Sequence, residues 1–451
     1  MSRRRTATRN PARVATVDLP PDPGARVALP HLDKGLPLDG GGVSAAGANV
    51  LREDLPLPVC TLRDAALRAN SRALLDFLGA VGRATGADVV LAPHGKTTMS
   101  PELFHRQLDD GCFGITLATA RQVRVARHFG VARVLLANEL VGRREIDWVL
   151  GELRRDPAFA FTCLVDSVAG VRRLAERAAA VPAGRPLDVL VEAGYAGGRC
   201  GVRTLPEGLE VARAVGDAAP LLRLAGVEGY EGLLQTSPRE GRDEAAAAVV
   251  RSVADLARAL DADGLLDDAD PVLLSAGGSS FYDLAARILA EPALRRPTRI
   301  VVRSGCYLTH DAGLYEPLLR RLVARDPLAR AEGLAFTPAL EVWAHVLSVP
   351  EPGLMVLGAG RRDFGEDSGP PALVRHARDG AELATPWLGE APIERVSDQH
   401  AMVALPEGAG LHVGDVVALS PSHPCTTFDK WRAIHVVDDA TTVLETVRTW
   451  F

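Results

Sequence analysis

Between residues 88 and 303 the chain repeats one pattern. A short apolar, β-branched run ends in small or polar residues, and a helical stretch follows. Eight such runs occur, at 88–93, 114–119, 133–138, 161–166, 187–193, 222–227, 272–276 and 299–303. The linkers carry helix punctuation. Ser100-Pro101-Glu102 combines a capping serine with proline at the first helical position, and Gly111 closes that helix. Residues 120–129 form the next, ended by Gly130. Runs buried on both faces, alternating with helices, predict an α/β fold with a parallel sheet. Eight units predict a closed (β/α)8 TIM barrel over residues 56–328. The rival reading is an open doubly wound sheet, but no G-x-G-x-x-G follows a strand.

Beyond residue 329 the texture changes. Runs at 340–349, 354–360, 402–405, 415–419 and 431–437 read as strands between Pro/Gly turns, without long helical periodicity. Residues 329–451 are therefore expected to form an all-β domain. Residues 1–55, rich in Pro and Gly, are expected to be an N-terminal arm, partly disordered or adding to that β domain.

Composition narrows the function. The chain has 451 residues, is 47% hydrophobic and carries a net charge of −6. It can bury a large core, and it offers no basic footprint for nucleic acid. No 18-residue apolar run is free of charge, which argues against a membrane span. Residues 1–13 hold five arginines and no apolar signal core, so a solvated tail is preferred to an anion-binding arm. The six cysteines are scattered and form no C-x-x-C pair, which fits a cytoplasmic, reducing setting. Of 51 Lys plus Arg, only Lys34, Lys96 and Lys430 are lysine. Arginine stays protonated, so chemistry that needs a neutral amine has three candidates.

In barrels of this kind chemistry sits at the C-terminal strand ends. Lys96, in Pro93-His94-Gly95-Lys96-Thr97, follows the first strand. Burial at a barrel mouth would lower its pKa and make the amine nucleophilic; the alternative is a snorkelling loop lysine. Ser275-Ala276-Gly277-Gly278-Ser279-Ser280 follows the seventh strand, where backbone amides and hydroxyls suit a phosphate. Ser304-Gly305-Cys306-Tyr307 follows the eighth. It either completes the same cup through Gly305 and Tyr307 or is an ordinary turn. Glu192-Ala193-Gly194-Tyr195, running on to Arg199, follows the fifth. It suits a planar ligand, with Arg199 toward a ring nitrogen, or is a flexible loop. In the β domain, His423-Pro424-Cys425 pairs imidazole with thiol, a zinc-like donor set, and His400 is a candidate neighbour. From spacing alone, a buried cysteine and a satisfied histidine outweigh a metal pair.

With these segments assembled, the sequence resembles the D-threonine aldolase and D-serine dehydratase family over roughly residues 55–435. These are fold-type III pyridoxal-phosphate enzymes with an alanine racemase-like barrel and a C-terminal β domain. The family's R-P-H-x-K-T-H-K stands here as Ala92-Pro93-His94-Gly95-Lys96-Thr97-Thr98-Met99. The resemblance implies pyridoxal 5'-phosphate held on Lys96 as a Schiff base. Its G-x-x-R-C-G-V stands around Arg199-Cys200-Gly201-Val202, which implies Arg199 against the pyridine nitrogen. The phosphate turn matches Gly277-Gly278-Ser279, and G-x-Y matches Gly305-Cys306-Tyr307. The metal-binding H-x-C or H-x-D matches His423-Pro424-Cys425, which implies a divalent metal, zinc by its cysteine version. The family's E-E-H-G stands as Asp398-Gln399-His400-Ala401, keeping the histidine as a catalytic candidate without the acids. His94 and Tyr195 complete the implied cofactor contacts.

The implied activity is zinc-assisted dehydration and deamination of a D-serine-like amino acid to a 2-keto acid and ammonia. Lys96 would be the base at Cα, and the metal a Lewis acid at the β-hydroxyl. Retro-aldol cleavage to glycine and an aldehyde is the alternative. An amino acid racemase is disfavoured because no tyrosine follows Tyr315. A non-catalytic cofactor carrier is disfavoured by the extra β domain. A homodimer is implied by resemblance.

Overall fold

The computed structural model describes residues 34–36, 45–236 and 241–451; the arginine-rich segment at 1–13 lies outside them. The chain enters through strand β1 (Val59–Arg63), then runs the long helix Asp64–Thr85. Eight parallel strands follow: β2 (Asp88–Leu91), β3 (Ile115–Leu117), β4 (Arg133–Glu139), β5 (Ala160–Val165), β6 (Leu187–Ala193), β7 (Leu222–Gly229), β8 (Val272–Ala276) and β9 (Thr298–Val302). They pair in the order β2-β9-β8-β7-β6-β5-β4-β3. The end strands meet through a His94–Thr116 bridge and two backbone bonds, Phe113 N to Leu91 O at 2.7 Å and Thr116 N to Pro93 O at 2.9 Å. The expected barrel is therefore present, strand for strand.

Its interior is filled by one side chain from most strands, among them Leu135, Leu164, Leu190, Ala225 and Val301. The helices pack outside, over a second apolar shell that includes Val149, Leu174, Val211 and Val253. Pro101 stands in the first turn of Pro101–Asp109 as expected, but Ser100, at the cap position, makes no cap bond and its hydroxyl donates to Glu102 Oε2 at 3.1 Å instead.

The remaining strands are β10 (Leu340–Glu351), β11 (Leu354–Leu357), β12 (Ala372–Arg378), β13 (Ala381–Glu382), β14 (Ile393–Val396), β15 (Ala401–Ala404), β16 (Val416–Ser420), β17 (Ala433–Val437) and β18 (Val443–Arg448). With β1 they form a ten-stranded sheet, threaded β13-β12-β16-β10-β1-β17-β18. The expected boundary at residue 56 needs correction. β1 pairs antiparallel with β10 and parallel with β17, so it belongs to the β domain. Residues 45–55 pack there too: Val50, Leu51 and Leu55 are buried against Trp343, Val416 and Val443.

Barrel and β domain share one apolar core. Phe77 and Leu78 of the long helix and Val302 of β9 lie in the same cluster as Val342, Leu419 and Trp431. The β domain thus has a fixed seat beside β2 and β9. No helix among the described residues is long and apolar enough to cross a membrane.

Candidate active site

Lys96 sits on a single 3-10 turn, Gly95–Thr97, directly after β2. A Cβ on Gly95 would stand 2.7 Å from Phe104 and 2.8 Å from Ile115, so glycine lets this turn lie flat on the barrel rim. Gly305, after β9, is held the same way: a Cβ there would meet His94 O at 2.6 Å. Met99 closes the turn with φ 41, and its carbonyl accepts from Trp450 N at 2.9 Å.

Lys96 opens into a cavity lined by His94, Asn138, Glu192, Arg199, Tyr230 and Arg303. All lie at or just beyond the C-terminal ends of barrel strands, where barrel chemistry sits. A second cavity, lined by Phe113, Arg133, Arg223 and Arg299, opens at the strands' N-terminal ends. The other lysines are elsewhere: Lys34 pairs with Asp363 at 2.9 Å and lies over Trp431, and Lys430 stands on a β-domain loop.

The mouth carries strong electrostatics. Burial holds the Lys96 ammonium below its usual value; the Cys425 and Cys306 thiols oppose this, and the Arg199 and Arg303 charges add to it. His94 is pushed well below the usual imidazole value by burial and by Lys96, Arg303 and Arg199. Glu192 is pushed up to about 10 by burial and by Glu228 and Glu139. Glu228 is pushed up to about 7 by burial, against the pull of Arg303. Arg303 and Glu228 form a buried ion pair, and Arg303 also donates to Gly229 O at 2.8 Å.

Arg199 is presented by the loop after β6. Its neck closes through Gly194 N to Val202 O at 2.9 Å and Val202 N to Glu192 O at 2.8 Å. Arg203 holds the loop from inside, its guanidinium donating to Cys200 O and Arg199 O at 2.7 Å each. Arg199 is exposed, with its guanidinium 4.7 Å from the Tyr230 ring centre.

The expected phosphate cup is only partly open. Gly277 N and Gly278 N donate to the buried Glu231 carboxylate at 3.2 and 2.8 Å. Those amides are spent on a carboxylate that burial obliges to find donors. Ser279 accepts from Cys306 N at 3.2 Å, which leaves Ser279 and the Gly305 backbone on the cup's rim. Tyr307 needs correction too. Its ring is buried against Phe336 and its hydroxyl accepts from Gln107 at 3.0 Å, so its side chain turns away from the cup. Tyr195 begins the Arg199 loop and is half-buried, but it is not among the residues lining the cavity. His400 is exposed in the turn between β14 and β15, and it too is absent from the lining.

The β domain brings its own group to the mouth. His423 and Cys425 lie with Cys306 of the barrel so that one ligand atom from each is within 4.8 Å of the others. The neighbour expected at His400 is thus Cys306. Cys425 Sγ is 3.5 Å from Thr97 Oγ1, one residue beyond Lys96. His423 Nδ1 is 2.6 Å from Asp367 Oδ2. Burial lowers the His423 pKa, but Cys306 and Asp367 outweigh it and raise it to about 9.

Sequence reasoning missed Glu228, Tyr230, Glu231, Arg303 and the place of Cys306 beside His423 and Cys425. The available signal was the first polar residue beyond each apolar run: Glu228 follows the run ending at 227, and Arg303 ends the eighth.

For a planar anionic cofactor, His94 Nδ1, Glu228 Oε2 and Arg303 Nε are buried polar atoms without a protein hydrogen-bond partner around an amine. Such atoms suit a polar ligand. For a divalent ion, thiols plus imidazole are a zinc donor set. The residues fit both groups.

A barrel with a β domain beside it is also the fold of solved alanine racemase-like structures, which cover 87% of this chain at 17% and 13% identity, with TM-scores of 0.65 and 0.56. In sequence the chain is similar to aldolases of D-amino acids. It is 29% identical to D-threonine aldolase of Arthrobacter sp over 396 residues, 87% of this chain and 91% of that protein. It is 28% identical to 3-hydroxy-D-aspartate aldolase of Paracoccus denitrificans (strain Pd 1222) over 82% of this chain and 85% of that one. The crystal structure of D-threonine aldolase from Filomicrobium marinum is 26% identical, covers 90% of this chain and 97% of its own, and superposes with a TM-score of 0.70. Residues 339–437 match the family model described as "Putative serine dehydratase domain".

Proposed function

We propose that this protein is a pyridoxal-phosphate-dependent lyase that uses a divalent metal, zinc by donor chemistry, to dehydrate and deaminate a D-β-hydroxy amino acid. One observation carries the reading: the Lys96 turn and the Cys306, His423 and Cys425 group share one barrel mouth, with Thr97 between them. Lys96 would hold the cofactor, Arg199 and Arg303 would offset its charge, and Ser279 with the Gly305 backbone would take its phosphate.

The bound cofactor supplies an electron sink for negative charge at Cα. The metal supplies Lewis acidity, which makes hydroxide a viable leaving group. Lys96, held toward its neutral form, takes the proton from Cα. The α-hydrogen and β-hydroxyl leave as water; hydrolysis of the resulting enamine returns one water and yields a 2-keto acid and ammonia. Glu192 stays protonated at neutral pH and donates rather than competes for that proton.

Retro-aldol cleavage is the second reading, and the names of the two curated relatives favour it. The bond broken is then Cα–Cβ, and the products are glycine and an aldehyde. The test is product analysis with D-serine, D-threonine and 3-hydroxy-D-aspartate. Ammonia in equal amounts with pyruvate, 2-oxobutanoate or oxaloacetate is expected; glycine with formaldehyde, acetaldehyde or glyoxylate, and no ammonia from any substrate, overturns the dehydratase reading.

A further inference from the structure

We propose that Cys306 is a third protein ligand of the metal, so that the ion is held by two thiolates and one imidazole and ties the barrel to the β domain. This rests on the metal-assisted reading above and goes beyond the His423–Cys425 pair.

Distance carries the argument first. Cys306 Sγ and Cys425 Sγ lie 3.7 Å apart. Two thiolates on one tetrahedral zinc, each at about 2.3 Å, stand about 3.8 Å apart. A disulfide would need about 2.05 Å, and both cysteines are free thiols. The pair is spaced for an ion between them.

The imidazole is prepared in the same sense. Asp367 takes His423 Nδ1 at 2.6 Å, which leaves Nε2 for the ion. A carboxylate behind a ligating histidine fixes its tautomer and orientation. Asp367 is itself held by the Thr426 hydroxyl.

The setting also explains Thr97. Its hydroxyl lies 3.7 Å from Cys306 Sγ and 3.5 Å from Cys425 Sγ, so it touches both sulfurs. Cys306 is held in place by its amide, which donates to Ser279 Oγ at 3.2 Å. Gly305 before it is pinned against His94 O. The Cys306 backbone is thereby held against the Lys96 turn.

Three protein ligands leave one position of a tetrahedral ion open, the arrangement of catalytic rather than structural zinc sites. With Thr97 beside both sulfurs, the centre abuts the Lys96 turn. The open position would take a substrate oxygen.

The test is cobalt(II) titration of chelator-treated full-length protein with cofactor bound. Thiolate-to-cobalt charge-transfer absorbance counts the thiolates. Wild type should bind one cobalt, with a band about twice that of C306S or C425S. Zinc affinity of C306S should fall by more than the roughly 10–100-fold that loss of an outer-shell partner costs. A wild-type band equal to that of C306S, with unchanged zinc affinity, overturns Cys306 as a ligand and leaves the His423–Cys425 site standing. Loss of Cys306 and Cys425 from a thiol count of the metal-free protein, restored by reductant, overturns it in favour of a disulfide. No cobalt binding by wild type overturns both this inference and the metal reading. If C306S misfolds by circular dichroism, the wild-type band compared with C425S still decides.

Discussion

Lys96 is one of three lysines, and its position does what scarcity alone could not. Lys34 is spent on Asp363 and Trp431, while Lys96 faces a cavity that lowers its proton affinity. Residue-scale reasoning from sequence found it because a lysine at a strand end is conspicuous among arginines. It missed Cys306 because the thiol's partner, Cys425, is 119 residues away and only the tertiary fold joins them. It did not foresee that the Gly277 and Gly278 amides go to Glu231, because that carboxylate lies at another strand's end.

Glu192 gives a residue-scale prediction. Its folded pKa of about 10 lies above the ordinary glutamate value of 4.5. A raised carboxyl stabilises the fold below the unfolded value, and that contribution is lost as pH rises through the folded value. Wild type should therefore lose stability between about pH 4.5 and 10, while E192Q lacks this loss. Melting temperatures of the two proteins should diverge with rising pH, E192Q being the more stable at pH 9. Parallel curves would contradict the assignment.

At the scale of elements, apolar blocks buried on both faces are legible, and all eight barrel strands were. The strands missed, β12 to β14 and β18, are mostly edge or half-exposed segments such as Val443–Arg448, where charged and polar residues interrupt the apolar ones. β1 was not read as a strand and its residues fell in the barrel segment, because its partners β10 and β17 lie at the other end of the chain. The Arg199 loop supplies the prediction here. Arg203 bonds to carbonyls along residues 198–201. Hydrogen bonds from a charged group are worth about 1.5–3 kcal/mol. R203A should raise the cofactor's Kd at least about tenfold, with little change in melting temperature. An absorbance titration measures it, and an unchanged Kd would show that the loop holds itself.

At the scale of the molecule, barrel and β domain share an apolar core and meet again at the mouth, where Cys306 faces His423 and Cys425. A ligand that binds only the folded state stabilises it, by about 2.7 kcal/mol at one hundred times its Kd. Chelation should therefore lower the melting temperature by a few degrees, reversibly on adding zinc. No shift on chelation would mean that the ion does not join the two parts.

The central claim is that Lys96 carries the cofactor, and borohydride reduction of the holoprotein followed by peptide mass mapping tests it most directly. The account predicts a pyridoxyl group on the peptide containing Lys96, and none on those containing Lys34 or Lys430. A modified Lys34 or Lys430, or no modified lysine in protein saturated with cofactor, would contradict it.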